Sequence, residues 1–192
     1  MFQIRLHGRG GQGVVTAAEM LALAGFMEGH NAQAFPSFGS ERTGAPVTAY
    51  ARFSPKTIRL REPVVEPDIV LVQDRTLLES VDVFSGLKPE GYVVVNSGQT
   101  PAELGLGDLE KRLPPGHLVC VPATAYAMEK IGRPLPGAGM LAGMAAQTGL
   151  LKLESVIKAY GEKFKGRVAE ANAEVARLAY DDVMARKEKS HA

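Results

Sequence analysis

The sequence predicts an α/β fold: one Rossmann-like three-layer domain with a mostly parallel sheet, an antiparallel hairpin and a helical C-terminal region. Three observations carry this expectation. Phe2, Ile4 and Leu6 alternate with polar residues and run into the stretch LHGRGGQGVVT, after which Val14, Val15, Ala18, Leu21 and Ala22 recur at helical spacing. Three β-branched runs, DIVLVQD, YVVVNS and HLVCVPAT, are separated by segments of helical or partly helical character. Such continuous apolar strands mark a parallel sheet covered on both faces. Beyond residue 122 these runs cease, and apolar residues fall at helical spacing almost to the end.

Taken in order, the first strand ends in glycines that open the first helix, and NAQAF is a plausible second strand. PSFGSERTGAP, dense in Gly, Pro and Ser, reads as a loop. VTAYARFS and TIRLR flank the short PK junction and alternate well enough to suggest an antiparallel pair. TLLESVDVF and PAELGLGDLEKRL then connect the three buried strands. GAGMLAGMAAQTG spaces small residues and methionines along a helix, which suits close packing against another helix or a partner subunit. The domain is expected to span residues 1–185, with 186–192, RKEKSHA, as a frayed tail.

At 192 residues one domain can bury roughly two thirds of its unfolded surface. A net charge of +1 gives no basic footprint for nucleic acid. No apolar run is long enough to span a bilayer, and the first residues lack the pattern of a secretory leader. A soluble cytoplasmic protein is the expectation. Cys120 is the only cysteine, so the chain cannot supply the roughly four thiolates of an iron–sulfur cluster. It sits in an apolar run and reads as a buried small hydrophobe. His7, His30, His117 and His191 occupy strand-end, turn or tail positions, and no histidine chemistry is assigned.

Gly8, Gly10 and Gly13 satisfy G-x-G-x-x-G between a strand and a helix, with Gly11 as an extra glycine. Glycine lets backbone approach a ligand without a Cβ in the way, and a helix start attracts anions. Three readings remain open on residues alone: a phosphate cradle, a dinucleotide site, or a tight turn that touches no ligand. The dinucleotide reading wants an acidic residue near the end of the second strand, but HNAQAFPSF has none, and the next acid is Glu41. Asn96 ends YVVVNS at a strand's carboxyl edge, where open α/β sheets gather ligands.

The combination GRGGQGVVTAAEMLA, FPSFGSERTGAPVTAYARFS, PDIVLVQD and VVVNS resembles the gamma subunit, or gamma domain, of the pyruvate and 2-oxoacid ferredoxin oxidoreductases over about residues 4 to 180. The resemblance implies an assembly that decarboxylates a 2-oxoacid, passes electrons to ferredoxin and forms an acyl-coenzyme A. It implies alpha, beta and delta-type partner subunits, with thiamine diphosphate, magnesium and the iron–sulfur clusters on those partners only. Ferredoxin would then be an indirect partner. No catalytic residue and no metal ligand is assigned to this chain. Coenzyme A, rich in phosphate, is the candidate ligand here, held by Gly8, Arg9, Gly10, Gly11, Gln12 and Gly13 with Ser40, Glu41 and Arg42 of the second loop and, more weakly, Asn96; arginine supplies the fork-shaped donors. Two alternatives stand beside it: a purely structural subunit whose loops dock on a partner, with Glu41 and Arg42 pairing across the interface, or an independent dinucleotide-binding oxidoreductase. A subunit that completes an enzyme should also expose an apolar patch through which isolated copies self-associate.

Overall fold

A computed structural model describes residues 1–37 and 42–191. Its elements are β1 (Phe2–Arg9), α1 (Val14–Met27), β2 (Asn31–Pro36), β3 (Pro46–Ser54), β4 (Ile69–Val72), β5 (Tyr92–Asn96), α2 (Gly107–Arg112), β6 (Leu118–Val121), α3 (Ala123–Lys130), α4 (Gly137–Thr148), α5 (Leu153–Lys163) and α6 (Gly166–His191), with a 3₁₀ turn at Arg75–Glu79. The six strands form one sheet in the order β2-β3-β1-β4-β5-β6. β1, β4, β5 and β6 run parallel, while β3 is antiparallel to both β1 and β2. The α/β class with its antiparallel hairpin is therefore present.

The hairpin is built from different strands than TIRLR suggested. β3 pairs with β2 on one side and β1 on the other, so no ladder edge is left for residues 57–61. Those residues run as irregular chain, exposed apart from the half-buried Ile58. Alternation alone does not make a strand when its neighbour's hydrogen bonds are already taken.

Side-chain alternation gives the sheet two apolar faces. Ile4, Leu6, Ala49, Ala51, Ile69, Leu71, Val94 and Val121 pack with α1 and α4 in the larger core. Val70, Val72, Val93, Val95 and Cys120 pack with Leu77, Val83 and Leu109 in a thinner second layer. α4 is the central helix, with every residue from Gly137 to Gln147 buried. A Cβ built at Gly143 would lie 2.8 Å from Val121 Cγ2, and one at Gly139 would lie 2.9 Å from Ala123 Cβ. The small residues are thus needed for the helix to lie against β6 and α3, and the methionines fill the chain's own core rather than facing a partner.

Over β1 and β3 the second face is polar. Arg5 and Arg52 are 7% and 2% exposed, and no carboxylate pairs with either among the described residues. Backbone carbonyls and an amide take that place. Arg5 donates to Val64 O at 3.2 Å and Val83 O at 3.0 Å, and Arg52 donates to Gln3 Oε1 at 3.0 Å and to Glu62 O. A buried guanidinium is tolerable only when its donors are satisfied, so these contacts fasten residues 62–65 and 83–85 across the face of β1 and β3 opposite α1.

The last described residues belong to the final helix. α6 continues to His191. Arg186 donates to Cys120 O at 2.7 Å on the edge strand β6, and Lys187 donates to Ala146 O and Gln147 O at 3.0 and 3.1 Å, closing the last carbonyls of α4. No described helix is long and apolar enough to cross a membrane.

Two consequences can be measured. Burial first, then the neighbouring Arg5, depress the His7 pKa from 6.5 to about 4. The folded chain therefore refuses a proton that the unfolded chain accepts: the contribution to stability is complete above about pH 6.5 and falls as pH drops towards 4, by up to about 3 kcal/mol. Urea unfolding over that range should show a shallower pH slope in His7→Gln, and an unchanged slope would contradict the assignment. Separately, a Cβ built at Gly10 would lie 2.2 Å from Arg42 O, whereas one at Gly107 meets open space. Gly10→Ala should lower the unfolding free energy by about 1–3 kcal/mol, and Gly107→Ala should leave it level or slightly raised.

Candidate functional site

The sequence folds into a crossover at the sheet's reversal point. β1 feeds α1 on one face and β4 feeds the 3₁₀ turn on the other, so the carboxyl ends of β1 and β4 diverge as they leave the sheet. Ligands of open α/β sheets bind at such an opening. The glycines there have separate duties. Gly8 and Gly10 permit close approach: built Cβ atoms would meet Val14 Cγ2 at 2.5 Å and Arg42 O at 2.2 Å. Gly11 and Gly13 take φ of 92° and 72°, the left-handed region that turns the chain into α1.

Much of the loop's polarity is satisfied within the chain. Arg9 N donates to Gln12 Oε1 at 2.8 Å, Gly10 N to Ala45 O at 2.9 Å and Gln12 N to Arg9 O at 3.1 Å. The Arg9 guanidinium is also committed. Its Nε and Nη2 donate to Thr76 Oγ1 at 3.1 and 2.9 Å, Nη1 donates to Gly44 O at 3.1 Å, and Asp74 lies 3.4 Å from Nε. Burial alone would raise the Asp74 pKa, but hydrogen bonds from Thr76 and Gln12, with Arg9 beside it, hold the carboxyl below its ordinary value. Asp74 is thus the anionic hub that fixes the loop.

What remains open is the start of α1. Gly13 caps the helix without a side-chain acceptor. Ala17 N is bonded to Gly13 O, whereas Gly13, Val14, Val15 and Thr16 donate to no acceptor among the described residues. Four such amides, at the positive end of a 14-residue helix, form an anion-binding surface.

Two clefts flank this loop and share Gln12. The first, about 500 Å³, lies over the carboxyl ends of β4, β5 and β6 and is lined by Gln73, Asp74, Asn96, Ser97 and Thr124 among others. The second, about 440 Å³, is lined by the start of α1 together with Arg133, Leu135, Gly137, Tyr160, Phe164 and Val168. No carboxylate lines the second cleft among the described residues. The residues singled out in the sequence fall differently around these spaces. Gly11, Gln12 and Gly13 line the second cleft, whereas Gly8, Arg9 and Gly10 build the turn. Arg42 is exposed, and its carbonyl abuts Gly10. Ser40 and Glu41 lie outside the described residues.

Asn96 is 9% exposed, and its side chain is fully used as a brace. Its Nδ2 donates to Gln73 O at 2.8 Å and Thr124 Oγ1 at 2.6 Å, and its Oδ1 accepts from Thr124 N at 3.1 Å. Its contribution is to hold β4, β5 and the start of α3 together. His7 accepts from Arg5 Nε at 3.0 Å, His30 stacks on Phe53 and His117 stacks on Tyr92. Burial pushes the Cys120 thiol up to about 11, which removes its thiolate character at neutral pH. No group of three or more His, Cys, Asp or Glu is placed to share a metal ion among the described residues.

Arg133, Tyr160 and Gln73 carry no motif in the sequence. Arg133 stands in GRPLPGAG, where proline and glycine announce only a turn. Tyr160 looks like one more apolar position of an amphipathic helix, and Gln73 like the polar end of a strand. Only the packing of α5 against α1 and α4 brings Tyr160 beside the glycine loop.

With this geometry in place, comparison with known proteins gives one consistent result. The family model described as pyruvate ferredoxin/flavodoxin oxidoreductase matches residues 3–182. The "Pyruvate/ketoisovalerate oxidoreductases common subunit gamma" of Pyrococcus furiosus is 48% identical over 181 residues, covering 94% of this chain and 96% of its own length. The pyruvate oxidoreductase subunit PORC of Thermotoga maritima superposes with a TM-score of 0.78 at 35% identity, covering 94% of this chain and 95% of that one. The same fold recurs, at 16% identity and a TM-score of 0.73, in 31% of the 2-oxoglutarate:ferredoxin oxidoreductase from Magnetococcus marinus with 2-oxoglutarate, coenzyme A and succinyl-CoA bound; that match covers 96% of this chain. A family match over nearly the whole length, with relatives of almost the same extent, places the glycine-loop fold: the chain belongs to the pyruvate ferredoxin/flavodoxin oxidoreductase family, as a gamma-type subunit.

Proposed function

We propose that the chain works inside a multisubunit enzyme that oxidatively decarboxylates a 2-oxoacid, pyruvate in the first instance, to an acyl-coenzyme A and passes the electrons to ferredoxin. Its own share is to hold coenzyme A and to dock against the alpha, beta and delta-type subunits that carry thiamine diphosphate, magnesium and the clusters. The observation that carries this reading is the uncapped start of α1: four amides at a helix's positive end, opening into a cleft that no carboxylate lines among the described residues. Coenzyme A brings a diphosphate and a 3′-phosphate, the groups such a surface selects. One cysteine, buried and poorly ionised, does not fit a cluster of thiolates, so electron transfer belongs to other subunits. This chain then binds and orients the acyl acceptor.

A dinucleotide site finds no support in the topology. β3 lies between β1 and β2, so the end of β2 stands two strand spacings, roughly 10 Å, from the glycine loop. A ribose held beside the loop could not reach an acidic residue there. A docking role without ligand has one observation in its favour: Arg9 and three loop amides are already bonded within the chain, and Arg42 is exposed beside them.

Arg42 separates the two readings, because Arg9→Ala would also dismantle the loop. In the assembled enzyme Arg42→Ala should raise the KM for coenzyme A about three- to tenfold with the complex intact. An unchanged KM in an intact complex would remove Arg42 from the binding site, and loss of the complex would identify it as a docking residue.

A further inference from the structure

The first cleft holds one polar side chain that the chain itself leaves unserved. Gln73, at the carboxyl end of β4, is 1% exposed and lines that cleft. Its backbone is fixed: the N–H donates to His7 O at 2.7 Å, and the carbonyl accepts from Asn96 Nδ2 at 2.8 Å. Its side chain is the opposite case. Both Oε1 and Nε2 are buried without a partner, and no other buried side chain among the described residues has two such atoms. Gln147, by comparison, still donates from Nε2 to Gly116 O at 3.1 Å. The neighbours supply nothing because they serve one another. Gln12 bridges Arg9 N and Asp74, Thr124 accepts from Asn96, and Ser97 Oγ accepts from Gln99 N.

A primary amide buried with neither end paired is costly, so the cleft suits a guest that offers a donor and an acceptor side by side. Among the described residues its lining carries one charge of each sign, Asp74 and Arg75, and no aromatic ring. An ion is therefore not selected, and a planar base would find nothing to stack on. One residue of extended polypeptide meets the requirement. Its own N–H and C=O point the same way, as in the hydrogen-bonded pairs of an antiparallel ladder, and a glutamine amide can bond both. No hydrogen bond holds the terminal torsions of Gln73, so the amide is free to turn towards them. We infer that the cleft over β4, β5 and β6 is a docking groove for an extended, uncharged main-chain segment of a neighbouring subunit, in which the Gln73 amide bonds the N–H and C=O of one residue. The inference rests on the docking half of the proposed function and gives that contact a place: the Gln73 side of the loop, away from the start of α1.

Gln73→Met removes the amide at nearly constant volume, and Ala125→Trp fills the cleft from an exposed position on α3. Each variant is co-expressed with a tagged parent chain and the other subunits, and the ratio of the two chains in the purified assembled enzyme is measured. Both variants should be incorporated about tenfold less than the parent. The melting temperature of the Gln73→Met chain should stay level or rise, because an unpaired polar group has left its interior. Parental incorporation of either variant would overturn the groove, as when ordered water alone serves Gln73. A lowered melting temperature of Gln73→Met would overturn it too, by showing that the amide serves the chain's own fold. A parent chain that does not co-purify with other subunits would instead refute the docking reading itself.

Discussion

The turn from β1 into α1 constrains the rest of the molecule. A strand buried on both faces must hand over to a helix packed on one of them, and the handover leaves room for no Cβ at Gly8 or Gly10. Gly13 then starts the helix from the left-handed region. A glycine in that position brings no side-chain acceptor, so the first turn of α1 ends with bare amides. The feature that permits tight packing thus also creates an electropositive surface at the sheet's opening. Gly10 adds the second loop to this arrangement, since its amide and carbonyl bond Ala45 and Gly44. Residues 44 and 45 are therefore tied to the glycine loop by backbone hydrogen bonds.

The buried arginines give that turn a rigid base. β1 carries Arg5 on the side away from α1, and its guanidinium reaches carbonyls in two separate connections. Arg52, from β3, reaches the carbonyl of Glu62 in one of these connections and the side-chain amide of Gln3 on β1. Carbonyl dipoles rather than carboxylates satisfy these charges, so segments without regular structure are fixed across the antiparallel end of the sheet. A helix layer would bury more apolar surface, but here the chain uses polar side chains as fasteners. Their cost is compensated only while every donor is paired.

The sequence shows the parts of the fold that follow from local pattern. The strand–glycine–helix start, the three β-branched strands and the small-residue helix α4 were legible because each is written in consecutive residues. TIRLR was not, because its alternation says nothing of whether β3 still has an edge to offer. At the end of α6, Arg186 and Lys187 look in the sequence like solvent-facing charges, and only the fold brings them to Cys120 O and the end of α4. At the site, the glycines and Arg42 were visible as motif, and the sequence alone could not separate those that build the turn from those that face a cleft. Tyr160 and Arg133 were invisible because they join the loop only through tertiary packing.

The most direct measurement is a structure of the assembled oxidoreductase with coenzyme A bound. A phosphate group lying against the amides of Val14, Val15 and Thr16, with the nucleotide on the Leu135 side of the loop, is the expected result. Phosphates held elsewhere, with the first turn of α1 covered by a partner subunit, would contradict it.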